Sequence, residues 1–162
     1  MTINEVLAEI SSAQNIEKKA MSAPEVLNEA FDYARPSSFS RGLRIDLGGI
    51  AILLISGTAS IGPNGETLHV GDFRAQIRQT FTNITQLLAS EGATWKDIVR
   101  TSCYLRDIDR DYKEFNEERT AFYEAQGLDP LPASTGIQAK LCRPELLVEI
   151  EAIAIFRIAG KE

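Results

Sequence analysis

The sequence predicts an α+β domain, a mixed β-sheet with two long helices on one face. Two periodicities carry this. Phe73, Ile77, Thr80, Phe81, Ile84, Leu87 and Leu88 recur at the three-and-four spacing of a single helix face. Further on the spacing is two: Leu146, Val148, Ile150, Ala152, Ala154 and Phe156 form an apolar face, and Glu149, Glu151, Ile153 and Ile155 form the other. A strand that is apolar on one face and mixes Glu with Ile on the other is covered on both sides. Carboxylates placed there need partners, because burying an unpaired charge is expensive.

Taken in order, residues 1–35 are expected to form a helical N-terminal extension and residues 36–160 the sheet-bearing domain. Thr2 with Glu5 is a capping box, and Ile3, Val6, Leu7 and Ile10 share a face. Ser22-Ala-Pro-Glu25 repeats the start signal, with Pro24 in the first turn and Val26, Leu27, Ala30 and Phe31 as the apolar stripe. The polar stretch Gln14 to Lys19 between them reads as a linker. Phe39 to Asp46 is an edge-like strand, Leu47-Gly-Gly49 a turn, and Ile50 to Ile55 a continuous apolar run that predicts a buried strand. Gly62-Pro-Asn-Gly65 is a loop. Asp72 caps the first long helix and Gly92 stops it. Ile98 to Leu105 alternates as a strand. Asp107 to Asp111 caps the second helix, which carries Tyr112, Phe115, Arg119, Phe122 and Tyr123 on one side and ends at Gly127. Two strands close the chain, Ala133–Leu141 and Leu146–Ile158. The order is β-β-α-β-α-β-β after the extension. The helices cover one face only, so the other calls for a second copy of the chain.

Composition narrows the function. The 162 residues suit one domain, and 44% hydrophobic residues suffice for a core. A net charge of −6 without a basic run argues against nucleic acid as a partner, because such binding rests on phosphate contacts. No apolar run reaches the ~20 residues of a membrane span, so no membrane partner is expected. The first residues have neither a basic region nor an apolar run, which argues against a signal peptide. Cys103 and Cys142 both fall in apolar strand-like runs and read as reduced thiols of a cytoplasmic protein. With one histidine, His69, read as a surface or loop residue, and no cysteine cluster, neither a metal nor another cofactor is expected.

Several ordered motifs resemble the Rid/YjgF superfamily of reactive intermediate deaminases over roughly Ser38 to Arg157. They are Phe39-Ser-Arg-Gly-Leu-Arg, Leu54-Ile-Ser-Gly-Thr, Gly71-Asp72-Phe with Gln76 and Asn83, and Pro132-Ala133 followed by Val148-Glu-Ile-Glu-Ala152. The resemblance implies a chorismate-mutase-like fold and a homotrimer with sites at subunit interfaces. It also implies a small-molecule metabolite as ligand and hydrolysis of an imine or enamine to a carbonyl and ammonia. Asn116 and Glu149 match the family pattern. The arginine that follows Pro-Ala in the family's deaminases, and binds the substrate carboxylate, is Ser134 here. The family's cysteine two positions later is Gly136, and its first-strand tyrosine is Phe39. A neutral hydroxyl cannot form the bidentate pair that arginine makes with a carboxylate. A narrower stretch, Ala-Ser-Thr-Gly-Ile and then Leu-Cys-Arg-Pro-Glu-Leu-Leu-Val-Glu-Ile-Glu, resembles the C-terminal half of the chorismatases. That resemblance implies active-site roles for the Cys142 and Glu149 positions and loss of pyruvate from chorismate.

The residue types give the site its chemistry. Glu149 is the candidate acid/base, since partial burial raises a carboxyl toward neutrality. Arg143, or Arg41, supplies the charge that Ser134 lacks. Ser134, Thr135 and the Gly136 N–H offer hydrogen bonds to an anion, and Asn116 offers another. Cys142 lines the pocket beside Arg143, and Phe39 is the remaining contact. Cys103, Trp95 and Phe122 are expected in the core or at an interface, and Glu151 is expected to be structural. The extension either packs outside the trimer or serves as a lid. A non-catalytic metabolite-binding trimer is the alternative from another class.

Overall fold

The computed structural model describes residues 2–4 and 16–158. Its strands are β1 (Glu17–Ala20), β2 (Gly42–Leu47), β3 (Ile50–Ala59), β4 (Ile98–Leu105), β5 (Ala133–Gln138) and β6 (Val148–Arg157). They form a single sheet in the order β1-β2-β3-β6-β4-β5. Every pairing is antiparallel except β4–β5. A parallel pair needs a long crossover, and α2 (Ile108–Gln126) supplies it; α1 (Phe73–Ser90) connects β3 to β4. The β2–β3 hairpin turns on Gly48 and Gly49 at φ 55° and 83°, the positive values that a two-residue hairpin turn requires.

Each helix starts where its cap is. Asp72 accepts a hydrogen bond from the Ala75 N–H at 2.9 Å, and Asp107 accepts one from the Arg110 N–H at 3.0 Å. Gly127 closes α2 in the left-handed conformation at φ 63°. Ile77, Phe81, Ile84, Leu87 and Leu88 of α1 pack with Leu53, Ile55, Cys103, Leu105, Val148, Ile150, Ala152 and Ala154 of the sheet in one core. At its end, Phe122 stacks on Phe81 with ring centroids 4.4 Å apart, and Trp95 meets both edge-on. The Trp95 indole N–H donates to Thr85 Oγ1 at 2.8 Å, so the buried ring leaves no orphan donor. The opposite face of the sheet presents Leu54, Val99, Ile137 and Ile155 to solvent.

Several expectations need correction. Residues 22–31 are not a helix: Ala23 bridges back to Leu27 across a turn, and one 3-10 turn follows at Ala30–Asp32. Of the apolar stripe, Leu27 and Ala30 are buried as expected, whereas Val26 is half-buried and Phe31 is exposed, and the backbone finds tertiary partners. Met21 N–H donates to the Gly42 carbonyl and Asn28 N–H to the Pro63 carbonyl. The polar stretch read as a linker is partly β1, an exposed edge strand paired with Arg44–Asp46. Residues 5–10 of the first expected helix lie outside the described residues. Ile50–Ile55 is not buried throughout: Ala51, Leu53 and Ile55 are, while Ile50 and Leu54 face the open side. The strand expected from Phe39 begins at Gly42, and residues 139–141 and 146–147, expected to be strand, belong with 142–145 to one loop. Cys142 is exposed on that loop rather than within a strand, whereas Cys103 is buried. Among the described residues no helix is long and apolar enough to cross a membrane.

Candidate active site

The site starts from a fault in the β3–β6 ladder. Ile55 pairs with Ala152, but Thr58 pairs with Ile150, so β3 holds one extra residue there. Gly57 lies in this bulge, and the Glu149 carboxyl fills the space that a side chain at Gly57 would need: a β-carbon built on Gly57 would stand 2.1 Å from Oε1. Burial pushes the Glu149 carboxyl above its ordinary pKa, and Glu151 on the same face pushes it the same way. Among the described residues no ion pair holds Glu149. Such a group keeps its proton closer to neutral pH than an exposed carboxyl, as acid/base work needs.

The second wall is the loop 139–147. Arg106, just past β4, gathers it: Nε donates to the Leu146 carbonyl at 2.6 Å, and Nη2 donates to the carbonyls of Leu141 and Arg143. Gln76 on α1, fully buried, donates to the Glu145 carbonyl at 2.9 Å and accepts from the Leu147 N–H at 2.9 Å. The loop thus holds Cys142 and Arg143 on a backbone fixed from two elements. Arg143 donates through Nη1 to the Gly65 carbonyl and to Thr67 Oγ1.

Residues 27–41 build the third wall. Arg41, 6% exposed, donates through Nε to the Asn28 carbonyl at 3.1 Å and through Nη2 to the Tyr33 hydroxyl. Its guanidinium lies over the rings of Tyr33 and Phe39, 4.9 and 5.5 Å from their centroids. Burial lowers the Arg41 pKa, Glu29 opposes this, and Arg143 pushes it down again. Tyr33 lies flat enough against Gly65 that a β-carbon there would meet its ring at 2.6 Å. The three walls enclose a cleft of about 1000 Å³, the upper end of the range for small-molecule sites, roughly 300–1,000 Å³.

Of the residues singled out from the sequence, Phe39, Arg41, Cys142, Arg143 and Glu149 line this cleft. Ser134, Thr135, Gly136 and Asn116 do not; they lie at the β5 edge and on α2. Strand alternation separates Ser134 from Thr135. The Ser134 hydroxyl accepts from Thr101 Oγ1 at 3.0 Å and from Arg119 at 3.2 Å. A β-carbon at Gly136 would meet the Tyr112 ring of α2 at 3.6 Å. Thr135 Oγ1 accepts from Arg100 at 3.0 Å. Arg119 also donates to Asn116 Oδ1, which joins Asn116 to Ser134 through one guanidinium. His69, read as a loop residue, is exposed at φ 55° and gives its carbonyl to Gln76.

Three contributors escaped the sequence reading. Gly57 had a signal, an isolated glycine at the end of an apolar strand, which marks a bulge or a close approach. Arg106 and Tyr33 had none, since their partners lie 35 or more residues away for the first and across the cleft for the second.

The profile of the Endoribonuclease L-PSP family matches residues 33–156. Among curated relatives, the 3-aminoacrylate deaminase RutC of Acinetobacter baylyi is 30% identical over 103 residues, 64% of this chain and 78% of that protein. A RutC family protein of Haemophilus influenzae is 30% identical over 112 residues, 68% of this chain and 82% of that protein. Among solved structures, the YjgF gene product of E. coli aligns with a TM-score of 0.67 at 27% identity, over 86% of this chain and 99% of that one. The conserved Rid family protein YyfA of Yersinia pestis aligns with a TM-score of 0.68 at 26% identity, over 85% and 98%. The profile spans most of the chain and the solved relatives share its fold, and the chain therefore belongs to the Endoribonuclease L-PSP family, the Rid (YjgF/RutC) family.

Proposed function

We propose that this protein is a cytoplasmic hydrolase that converts a small carboxylate-bearing imine or enamine to a carbonyl and ammonia. The observation that carries the reading is Glu149: a half-buried carboxyl, raised in pKa and free of any ion pair among the described residues, in a cleft lined by Arg41 and Arg143. An enamine first takes a proton at carbon and gives one up at nitrogen to become the imine. Water then adds to the C=N carbon, forming the C–O bond. Glu149 accepts one water proton and passes it to nitrogen, giving the carbinolamine; it then takes the hydroxyl proton and passes it to nitrogen as the C=O bond forms and the C–N bond breaks, releasing ammonia and the carbonyl. The name of the Acinetobacter relative, a 3-aminoacrylate deaminase, supports the same chemistry.

The working form in this reading is a homotrimer. The open sheet face with Leu54, Val99, Ile137 and Ile155 is the apolar surface it would bury. Asn116, Ser134, Thr135 and Gly136, remote from Glu149 within one chain, would then complete a neighbour's cleft. Light scattering in solution tests this part, and a monomer overturns it. For the chemistry, ammonia release is measured from imines made in situ by an amino-acid oxidase. Glu149→Gln is expected to lower the rate by ~10²-fold or more. No release above buffer by the wild type sinks the reading, and a melting shift by a bound but unturned compound then favours a non-catalytic binding protein.

A second reading has its own observation: Cys142 and Glu149, the two positions that a resemblance to chorismatases would place in an active site, line the same cleft. Pyruvate release from chorismate tests it. The net charge of −6 disfavours the ribonuclease activity in the family's description, because nucleic-acid binding rests on phosphate contacts.

A further inference from the structure

The cleft holds two cations where one carboxylate needs one. Arg41 and Arg143 both line it, and both are held by neutral oxygens: the Asn28 carbonyl and Tyr33 hydroxyl for Arg41, the Gly65 carbonyl and Thr67 hydroxyl for Arg143. Among the described residues neither forms an ion pair, whereas Arg44, Arg74, Arg78 and Arg110 all do. Arg41 is nine-tenths buried; the nearby Glu29 carboxylate favours its charge but accepts from the Arg41 backbone N–H at 3.4 Å rather than pairing with the guanidinium, and a buried charge that is only partly countered is costly to keep. The two guanidiniums are close enough to repel, since each unit of charge on Arg143 disfavours the charged form of Arg41.

The walls that hold them are coupled. Tyr33 bonds Arg41 with its hydroxyl and packs its ring on Gly65, whose carbonyl holds Arg143. A single side chain from the segment before β2 therefore sets both cations. The other carboxylates form no ion pair with them among the described residues: Glu29 acts on Arg41 from a distance and accepts from its backbone N–H, Glu66 accepts from the Asn64 N–H within its own turn, and Glu145 is exposed at the rim. Glu149 lies against Gly57 on the opposite wall.

We propose that the cleft selects a ligand with two anionic groups, one bound by Arg41 and one by Arg143, with Tyr33 as the positioning residue for both. Taken with the deaminase reading, on which this step alone rests, the substrate is a dicarboxylic imine or enamine.

The test is calorimetric and needs no turnover. Succinate, glutarate and adipate are titrated into the full-length protein beside butyrate, pentanoate and hexanoate. At least one dicarboxylate is expected to bind ~10-fold or more tightly than the monocarboxylate of its length, since each end gains a charge-assisted pair. Arg143→Gln should bring that dicarboxylate to the monocarboxylate level and leave the monocarboxylate within about twofold, because Arg41 still serves it. Tyr33→Phe should weaken the dicarboxylate more than the monocarboxylate. Arg41→Gln should mirror Arg143→Gln; if it fails to fold, the Arg143 arm decides alone. Equal affinity for both ligand classes overturns the proposal. So does an Arg143→Gln variant that loses both classes alike, which would mean one carboxylate shared by two arginines. A preference for dicarboxylates without ammonia release would sink the deaminase reading and leave this site standing. Ammonia release from monocarboxylic imines without any dicarboxylate preference would do the reverse.

Discussion

Gly57 leaves the space that the Glu149 carboxyl occupies: a β-carbon at Gly57 would fall 2.1 Å from Oε1 and 2.9 Å from Cδ. Gly57 is not among the positive-φ glycines, so alanine fits its backbone and the conflict falls on the flexible end of Glu149. Gly57→Ala should therefore change the melting temperature by only about 2 °C. It should lower kcat/KM by ~10-fold or more by moving the proposed acid/base group. A variant with full activity would show that the position of this carboxyl does not matter to turnover.

Glu149 also sets a pH dependence. Its folded pKa lies above the ordinary value of 4.5 because of burial and Glu151. The folded state thus holds this proton more tightly than the unfolded one. That contribution to stability is present below the ordinary value and is lost as pH rises through the raised one. Glu149→Gln cannot titrate and should melt at a temperature close to wild type near pH 4. At pH 8 it should melt on the order of 1–2 °C higher than wild type. Melting curves across pH check this, and a gain that is the same at both ends contradicts it.

What could be read from the chain divides by range. The α1 face, its Asp72 cap and the β6 alternation rest on neighbours within a few residues, so their spacing alone carried them. The cleft does not. Arg106 reaches the 141–146 carbonyls, Gln76 reaches Glu145 and Leu147, and Tyr33 reaches Gly65. The segment 22–31 failed for the same reason. Its apolar spacing fitted a helix, while its Asn28 N–H donates to the Pro63 carbonyl and its Ala30 carbonyl accepts from the Ser37 N–H. Glu149 and Arg143 were legible as residue types in a strand and a loop. That they face one cleft while Ser134 and Asn116 share a different guanidinium was not.

Arg106 is a structural anchor with a functional readout. Its guanidinium satisfies the carbonyls of Leu141, Arg143 and Leu146. Arg106→Ala leaves three acceptors without this donor and should cost about 2–4 kcal/mol in urea unfolding. Arg106→Lys keeps the charge but not the planar fork, and should recover part of the stability. In both variants KM should rise more than kcat falls, because Arg143 rides on this loop while Glu149 does not. A fall in kcat alone would separate Arg106 from ligand binding.

Asn83 ties α1 to the end of the strand that carries Gly57. Fully buried, it donates through Nδ2 to the carbonyls of Ala59 at 3.0 Å and Ile61 at 2.9 Å, and accepts from Gln79 at 2.9 Å. Asn83→Ala orphans two carbonyls and should cost about 2–4 kcal/mol. Asn83→Asp is the sharper test. An ionised aspartate presents only acceptors to those carbonyls, so its folded pKa must rise above the ordinary ~3.9. The protonated form donates one of the two lost bonds. Stability is then retained at low pH and lost as pH rises through the raised value. The gap between wild type and Asn83→Asp should accordingly widen between pH 4 and pH 7, while the gap for Asn83→Ala stays constant. Parallel gaps for the two variants would mean that the Asn83 donors are not what holds the end of β3 in place.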